Sequence, residues 1–487
     1  MSMISSLRTA LRPAYRRLRV LLGVAPPPKK KGKATSGNAG RTKAATPPAA
    51  APKRAQVAAP KAAAPMRALS PAPAVAPKAA ARKPATGKSG AGKGGKGKAG
   101  KGKSPALEAG RGGTPPAPVR DKRARRASKQ PEGAPWNILF LGGSNTVMSN
   151  GYVDALVACL ADSRGPVDRV VNLSAGGNST VHGLMLAKQR QDLADYDVVV
   201  IEYGVNDVKL AGLGSIEIWK AATEGLLRHL LTLRPDVHVV FVLFGWRDMR
   251  KGYMYRPAEL TLTIAEAYAA CRRVTVVDID HLFRDVLFPK AEDFAKLYSD
   301  GAHYRRPEIA RLAGGLIASG VLGASKGEEG PLPEPVFPFH FADSTLVDLV
   351  GDPAQADRVF ANSRYNIPTR RIGLGETATF DLPGPIAGIE FVSLATGATL
   401  RVSEEGEAPF ALHTRHGRTG TAVYPFLLRC QALEHRPWPT LARGPRRVTL
   451  EALPDAPEGE VKKALKMVPA AKGRAEAVYV TRLLCVP

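Results

Sequence analysis

The stretch that most restricts the fold is Asn137 to Thr146, NILFLGGSNT. Ile138, Leu139, Phe140 and Leu141 form an apolar run of strand length, Gly142-Gly143 cut it off, and a helical pattern from about Gly151 to Ala161 follows. Continuous apolar runs suit strands buried on both faces, as in parallel sheets flanked by helices. Four more such runs follow, at Arg169–Leu173, Asp197–Tyr203, Val237–Phe244 and Val274–Ile279. Helical stretches near Asn178–Leu193, Ile216–Leu233 and Leu260–Arg272 separate them. The alternation predicts a three-layer α/β/α sandwich around a five-stranded parallel sheet, closed by a helix over Pro307–Ile317. In such sheets the loops at the carboxyl ends of the strands carry the chemistry.

Ser144 stands at the first of those loops. A serine hydroxyl is a poor nucleophile unless a base takes its proton and donors receive the charge created by its attack. A lone Gly-Gly-Ser is more often a simple strand-to-helix turn, so the later loops must supply these groups. After the second strand comes Ser174-Ala175-Gly176-Gly177-Asn178, where glycine lets the backbone approach a ligand. After the third, Gly204-Val205-Asn206-Asp207 offers the carboxamide of Asn206. Before the last helix, Ser299-Asp300-Gly301-Ala302-His303 places an imidazole three residues after a carboxylate. Ser144 and Gly177 backbone N–H groups with the Asn206 side chain would make an oxyanion hole. His303 would take the serine proton, with Asp300 fixing its tautomer.

These blocks resemble those of the SGNH hydrolases, also called GDSL esterases and lipases. The match runs in order through Gly143-Ser144-Asn145, Asn172 to Gly177, Gly204-x-Asn206-Asp207 and Asp300-x-x-His303, and covers roughly residues 136–322. The resemblance implies the flavodoxin-like SGNH fold, Ser144 as nucleophile, Gly177 and Asn206 completing the oxyanion hole, and His303 with Asp300 as base and partner. It implies hydrolysis, or occasionally transfer, of acyl groups on oxygen esters without a metal or other cofactor. The first block reads Gly-Gly-Ser-Asn-Thr rather than Gly-Asp-Ser-Leu, which weakens a lipase assignment. Gly176 and Gly177 adjoin, so either could be the donor; spacing from Asn172 favours Gly177. An α/β-hydrolase elbow would need glycine where Thr146 stands.

Asp278-Ile279-Asp280-His281 repeats the D-x-x-H spacing but sits at a strand end, where a carboxylate ordinarily caps the next turn. Asp207 reads as a turn former. Histidines 182, 229, 238, 340, 413, 416 and 435 lack a partner motif and read as structural or exposed. Trp246 through Tyr255 is a polar and aromatic loop beside the expected cleft, with an ordinary surface loop as the alternative.

The flanks differ in texture. Residues 1–135 hold 31 Lys and Arg against three acids, whereas the rest hold 39 basic and 40 acidic residues, so the net charge of +27 belongs to a tail. Residues 1–25 form a basic amphipathic leader: Met3, Ile4, Leu7, Leu11, Tyr15, Leu18 and Leu22 fall at helical spacing beside Arg8, Arg12, Arg16 and Arg19. Such a face can lie on an anionic membrane. Arg16-Arg17 resembles a twin-arginine export signal, although Arg19 and Pro26-Pro27-Pro28 interrupt its apolar core. The expected location is cytoplasmic, with peripheral membrane association or export as alternatives.

Residues 26–135 are rich in Ala, Pro, Lys and Gly and should be disordered, because they cannot bury enough surface to offset ordering entropy. Their lysines could hold membrane lipid, polysaccharide or nucleic acid through charge alone, but no aromatic residue is interleaved for base stacking. Cys159, Cys271, Cys430 and Cys485 lie far apart, indicating neither a metal site nor a disulfide framework.

The hydrolase domain is expected over 136–325 and a β-sandwich accessory domain over 335–487. Its alternating runs are Thr377–Asp381, Ile386–Leu394, Ala398–Val402, Ala422–Leu428, Arg447–Leu450 and Ala477–Leu483. Three functions fit this reading. The first is a serine esterase acting on O-acyl, above all O-acetyl, groups of a carbohydrate or polysaccharide. The second is a lipid esterase or thioesterase at a membrane surface, and the third a non-catalytic scaffold bound to anionic surfaces through its tail. A scaffold has no need of all five of Ser144, Gly177, Asn206, Asp300 and His303.

Overall fold

The computed structural model describes residues 135–212, 216–248, 254–324, 330–415, 417, 419, 424–461 and 474–487. The predicted leader, nearly all of the predicted linker, and His416 lie outside them. Five parallel strands form the first sheet: β1 (Trp136–Gly142), β2 (Val167–Asn172), β3 (Val198–Glu202), β4 (His238–Leu243) and β5 (Val274–Asp278). Their spatial order is β2-β1-β3-β4-β5.

The pleat sends alternate side chains of β1 to opposite faces. Ile138 and Phe140 join a core closed by helices Tyr152–Arg164 and Glu308–Gly323, through Leu156, Leu160, Ala313 and Ile317. Leu139 and Leu141 join the opposite core, closed by helices Thr180–Gln189, Ile216–Leu233 and Arg256–Ala269. This is the expected three-layer arrangement, in which a strand must be apolar on both sides.

The C-terminal half is antiparallel. Strands β13 (Leu427–Ala432), β10 (Ile386–Ser393), β15 (Ala477–Cys485), β8 (Asn366–Gly373) and β7 (Arg358–Ala361) neighbour one another in that order, and β6 (Thr345–Asp348) also pairs with β15. A second sheet runs β12 (Phe410–His413), β11 (Thr399–Glu404), β14 (Arg446–Leu453) and β9 (Thr377–Leu382). Leu400, Val402, Val448 and Leu450 from the smaller sheet share one core with Ile389, Phe391, Val478 and Val480 from the larger. The two sheets form the expected β-sandwich. Strands β6, β7, β8 and β12 lie outside the sequence-predicted runs. The strand expected over Ala422–Leu428 is found at Leu427–Ala432.

Helix Thr180–Gln189 joins the two halves. Thr180 to Ala187 are all buried, so over its first eight residues this helix has no solvent face. A helix apolar all round must be covered all round, and the β-sandwich supplies the second cover. A Cβ on Gly388 of β10 would lie 2.9 Å from Val181 and 3.4 Å from the Met185 sulfur. Burying side chains such as Val181 and Met185 stabilises by roughly 1.5–3 kcal/mol each. Within this contact Glu390 is wholly buried. It accepts from Arg482 Nη1 at 2.7 Å and Thr481 Oγ1 at 2.5 Å, and pairs with His182 Nε2 at 2.9 Å. Burial pushes this carboxyl upward, but His182, Arg482 and Thr481 outweigh that and hold it at about 2.

Candidate active site

The sequence-predicted residues converge at the carboxyl ends of β1, β2 and β3. Ser144 begins the short helix Ser144–Val147 directly after β1 and Gly143. The Gly143 N–H donates to the Glu202 carbonyl at 2.8 Å, which ties the turn to the end of β3. His303 Nε2 lies 2.7 Å from Ser144 Oγ, and its Nδ1 lies 2.7 Å from Asp300 Oδ2. The other carboxylate oxygen of Asp300 accepts the backbone N–H groups of Ala302 at 2.8 Å and His303 at 2.9 Å. One carboxylate therefore shapes its own loop and orients the ring. Partial burial raises Asp300, but the bonds from Ala302 and His303 prevail and hold it below its ordinary range.

The loop after β4 backs this arrangement. Trp246 gives its indole N–H to the Val205 carbonyl at 2.8 Å, and the Arg247 N–H donates to the Gly301 carbonyl at 2.9 Å. Asn145 Nδ2 reaches the Ala302 carbonyl at 3.2 Å. The Trp246 end of the predicted loop thus buttresses the Asp300–His303 turn, while residues 249–253 lie outside the described residues.

Asn206 stands beside the turn that delivers Ser144. A Cβ on Gly143 would fall 2.5 Å from Asn206 Nδ2, so the carboxamide lies against the residue preceding Ser144. Gly176 faces the serine as well: its Cβ position is 3.6 Å from Ser144 Cβ. Gly177 has φ +76°, the left-handed region that favours glycine. Asn172 links this loop to the serine helix, giving Nδ2 to the Thr146 carbonyl at 2.9 Å and accepting the Ser174 N–H at 3.0 Å.

Two buried acids lie beneath. Burial pushes Glu202 up to about 8, against hydrogen bonds from Thr146 and Gly143. Its Oε2 accepts Thr146 Oγ1 at 2.8 Å and, more weakly, the Gly143 N–H at 3.3 Å. Burial likewise pushes Asp207 up to about 7 despite the bonds from Thr180. Asp207 accepts the Thr180 N–H at 3.0 Å and its hydroxyl at 2.5 Å; rather than forming a turn, it lies in the first turn of helix Gly204–Gly212 and caps helix Thr180–Gln189 from there.

The second D-x-x-H pair is built differently. Asp278 caps a turn by accepting the His281 N–H at 2.9 Å, while His281 pairs with Asp285 on the surface. Of the other histidines, His182 joins the Glu390 cluster, His238 bonds Thr275 at 2.9 Å and His413 bonds Thr399 at 2.9 Å.

Sequence reasoning missed the contacts from the β-sandwich. Arg364 donates to the carbonyls of Val147 at 3.0 Å and Ser174 at 3.3 Å, and the Tyr365 hydroxyl donates to Ser174 at 3.1 Å. Arg429 Nη1 donates to the Gly177 carbonyl at 2.8 Å. The Asn178 carboxamide gives Nδ2 to the Leu428 carbonyl at 3.2 Å and accepts the Cys430 N–H at 2.8 Å. No local signal marks these residues, because their partners lie about 190 to 250 positions away.

Chemically the arrangement can take a proton from a hydroxyl and place backbone and carboxamide donors around it. Residues 140–305 match the model of the GDSL-like lipase/acylhydrolase family. No curated protein matches the chain. Among solved structures it is similar to a two-domain esterase (CEX) active on acetylated mannans, co-crystallized with mannopentaose. The identity is 16% and the TM-score 0.51, over 72% of this chain and 90% of that one. It is also similar to Axe2, an acetylxylan esterase from Geobacillus stearothermophilus, at 20% identity and a TM-score of 0.30, over 38% of this chain and 93% of that one. The first likeness extends the shared fold beyond the parallel sheet into the β-sandwich. The chain carries a hydrolase domain of the GDSL-like, or SGNH, family and is a carboxylic ester hydrolase.

Proposed function

We propose that this protein is a serine esterase that removes O-acetyl groups from a carbohydrate through an acyl-enzyme on Ser144. The observation that carries the reading is the unbroken chain from Ser144 Oγ to His303 Nε2 at 2.7 Å and from His303 Nδ1 to Asp300 at 2.7 Å. Ser144 Oγ attacks the acetyl carbonyl carbon while its proton passes to His303 Nε2. The carbonyl oxygen becomes an oxyanion, received by the N–H groups of Ser144 and Gly177 and by Asn206 Nδ2. Asp300 offsets the imidazolium charge. Collapse of the tetrahedral intermediate breaks the bond to the sugar oxygen, which leaves with the proton from His303. Water then repeats the sequence on the acyl-enzyme, with His303 as base, and releases acetate.

Two features support a carbohydrate as the alcohol. The rim is polar and open: the Asp300 side chain is 56% exposed and Arg247 and Asp248 are exposed beside it. Such a rim offers hydrogen bonds to a polyhydroxylated group and little apolar cover for a long acyl chain. The two-domain fold is also shared with an esterase active on acetylated mannans.

The test compares wild type and Ser144→Ala on p-nitrophenyl esters from acetate to palmitate and on acetylated mannan. The expected result is a preference for acetate, acetate release from the polysaccharide, and loss of at least about 10³-fold in kcat in S144A. Retained activity in a folded S144A would remove the mechanism. A preference for palmitate would replace the carbohydrate reading with a lipid one.

A further inference from the structure

The loop that carries the oxyanion donor is held between Ser144 and a cation from the other half of the chain. On one side, the Cβ position of Gly176 lies 3.6 Å from Ser144 Cβ. On the other, a Cβ on Gly177 would collide with Arg429, at 2.3 Å from Nη1 and 3.5 Å from Cζ. The φ of +76° favours glycine at position 177, and the absent side chain leaves the place where the guanidinium rests.

Arg429 Nη1 donates to the carbonyl of Gly177 at 2.8 Å and, at the long limit of 3.5 Å, to that of Gly176. These two carbonyls flank the Gly177 Cα and belong to successive peptide planes. In a trans peptide the C=O and the following N–H point to opposite sides. A Gly176 carbonyl turned toward Arg429 therefore turns the Gly177 N–H away from it. The neighbouring contacts repeat the pattern. Arg364 and Tyr365 draw the Ser174 carbonyl, and the Asn178 carboxamide is paired with the backbone of β13 on either side of Arg429, at Leu428 and Cys430.

Arg429 also carries a cost. Its Nε is buried and, among the described residues, meets no acceptor. Leaving such a donor unsatisfied costs about 1–3 kcal/mol.

We propose that Arg429 is a positioning residue for ester hydrolysis: from the β-sandwich it holds the Gly176-Gly177 carbonyls so that the Gly177 N–H faces the oxyanion. The β-sandwich thereby forms part of the catalytic apparatus. Its cation also favours negative charge on the far side of the same peptide. This proposal rests on the serine-esterase reading above.

The test uses the full chain and the variants Arg429→Met, Arg429→Gln and Arg429→Lys. Steady-state kinetics on p-nitrophenyl acetate are measured alongside affinity for phenylboronic acid, which binds a catalytic serine as a tetrahedral adduct. For R429M, kcat should fall about 10–10²-fold with KM changed less than about threefold, because the lost interaction belongs to the transition state. Boronic-acid affinity should fall by a similar factor, and R429K should recover part of both. If R429M does not fold, R429Q, which keeps an N–H donor without the charge, serves for the same comparison. Wild-type kcat in the folded variants, or a lower kcat with unchanged boronic-acid affinity, would overturn the positioning role. S144A separates the two claims. An inactive S144A beside fully active Arg429 variants overturns the positioning role alone, whereas an active S144A overturns the esterase reading with it.

Discussion

The two sides of Ser144 are held in contrasting ways. On the His303 side, the turn Asp300–His303 is closed by its own carboxylate, by the Ser299 N–H on the His303 carbonyl at 2.8 Å, and by the nearby Trp246 loop. Every one of these groups belongs to the α/β half. On the Gly177 side, Asn172 and the Gly142 carbonyl anchor Ser174 and Ala175 from within the α/β half, and Arg364, Tyr365, Arg429 and the backbone of β13 add contacts from the β-sandwich to Ser174, Gly177 and Asn178. The His303 turn is built locally, while the Gly176-Gly177 loop adds to its local anchors contacts that form only when the two halves dock. Local construction makes the first side insensitive to the second domain, and long-range construction couples the second side to it.

Among the groups that set these two sides apart, the largest expected effect comes from Asn206→Ala. Asn206 lies against Gly143 and belongs to the helix Gly204–Gly212 that follows β3, so in the proposed mechanism it is an oxyanion donor independent of the β-sandwich. Its removal should cost about 10²–10³ in kcat on p-nitrophenyl acetate, more than any Arg429 variant. A loss smaller than that of R429M would break the comparison, since bracing would then outweigh donation.

The next effect is on stability and sharpens the comparison through pH. Glu390→Gln leaves Arg482 and His182 without their buried carboxylate, a change expected to cost about 3 kcal/mol or more at neutral pH. In the wild type the Glu390 carboxyl is held at about 2, below its ordinary 4.5. The folded state therefore binds fewer protons there than the unfolded state. Its contribution is complete above about pH 5 and is lost as pH falls through the ordinary value toward 2. Thermal unfolding from pH 7 down to 3 should show a steeper decline for wild type than for E390Q. Parallel curves would assign the interface to apolar packing alone.

How much of this was legible before the structure follows the same division. The five parallel strands stand out because burial on both faces demands continuous apolar runs, and Ser144, Asn206, Asp300 and His303 stand out because they end strands or begin helices at short spacings. Helix Thr180–Gln189 is shorter than the pattern Asn178–Leu193 suggests: Asn178 spends its carboxamide on β13 ahead of it, and Arg190 turns to an extended backbone at its other end. Strands β7 and β8 escaped notice because an edge rich in charge, with Arg358, Arg370, Arg371 and Pro368, shows no apolar alternation. The strand at Leu427–Ala432 reads as polar from Arg429 and Gln431, which ordinarily mark a solvated face. Glu202 is a single acid at the end of an apolar strand, and only coordinates show that it receives Thr146 and Gly143. Arg429 has no sequence signature at all, since its meaning lies in a partner some 250 residues earlier.

The most direct test of the account is to treat the full chain with a fluorophosphonate and map the adduct by peptide mass spectrometry. The phosphorus centre accepts Ser144 Oγ with loss of fluoride and imitates the tetrahedral intermediate, so labelling requires both an activated hydroxyl and a working oxyanion site. One stable adduct on the peptide containing Ser144, abolished in His303→Ala, is the expected result. No adduct at Ser144, or undiminished labelling in a folded H303A, would contradict it.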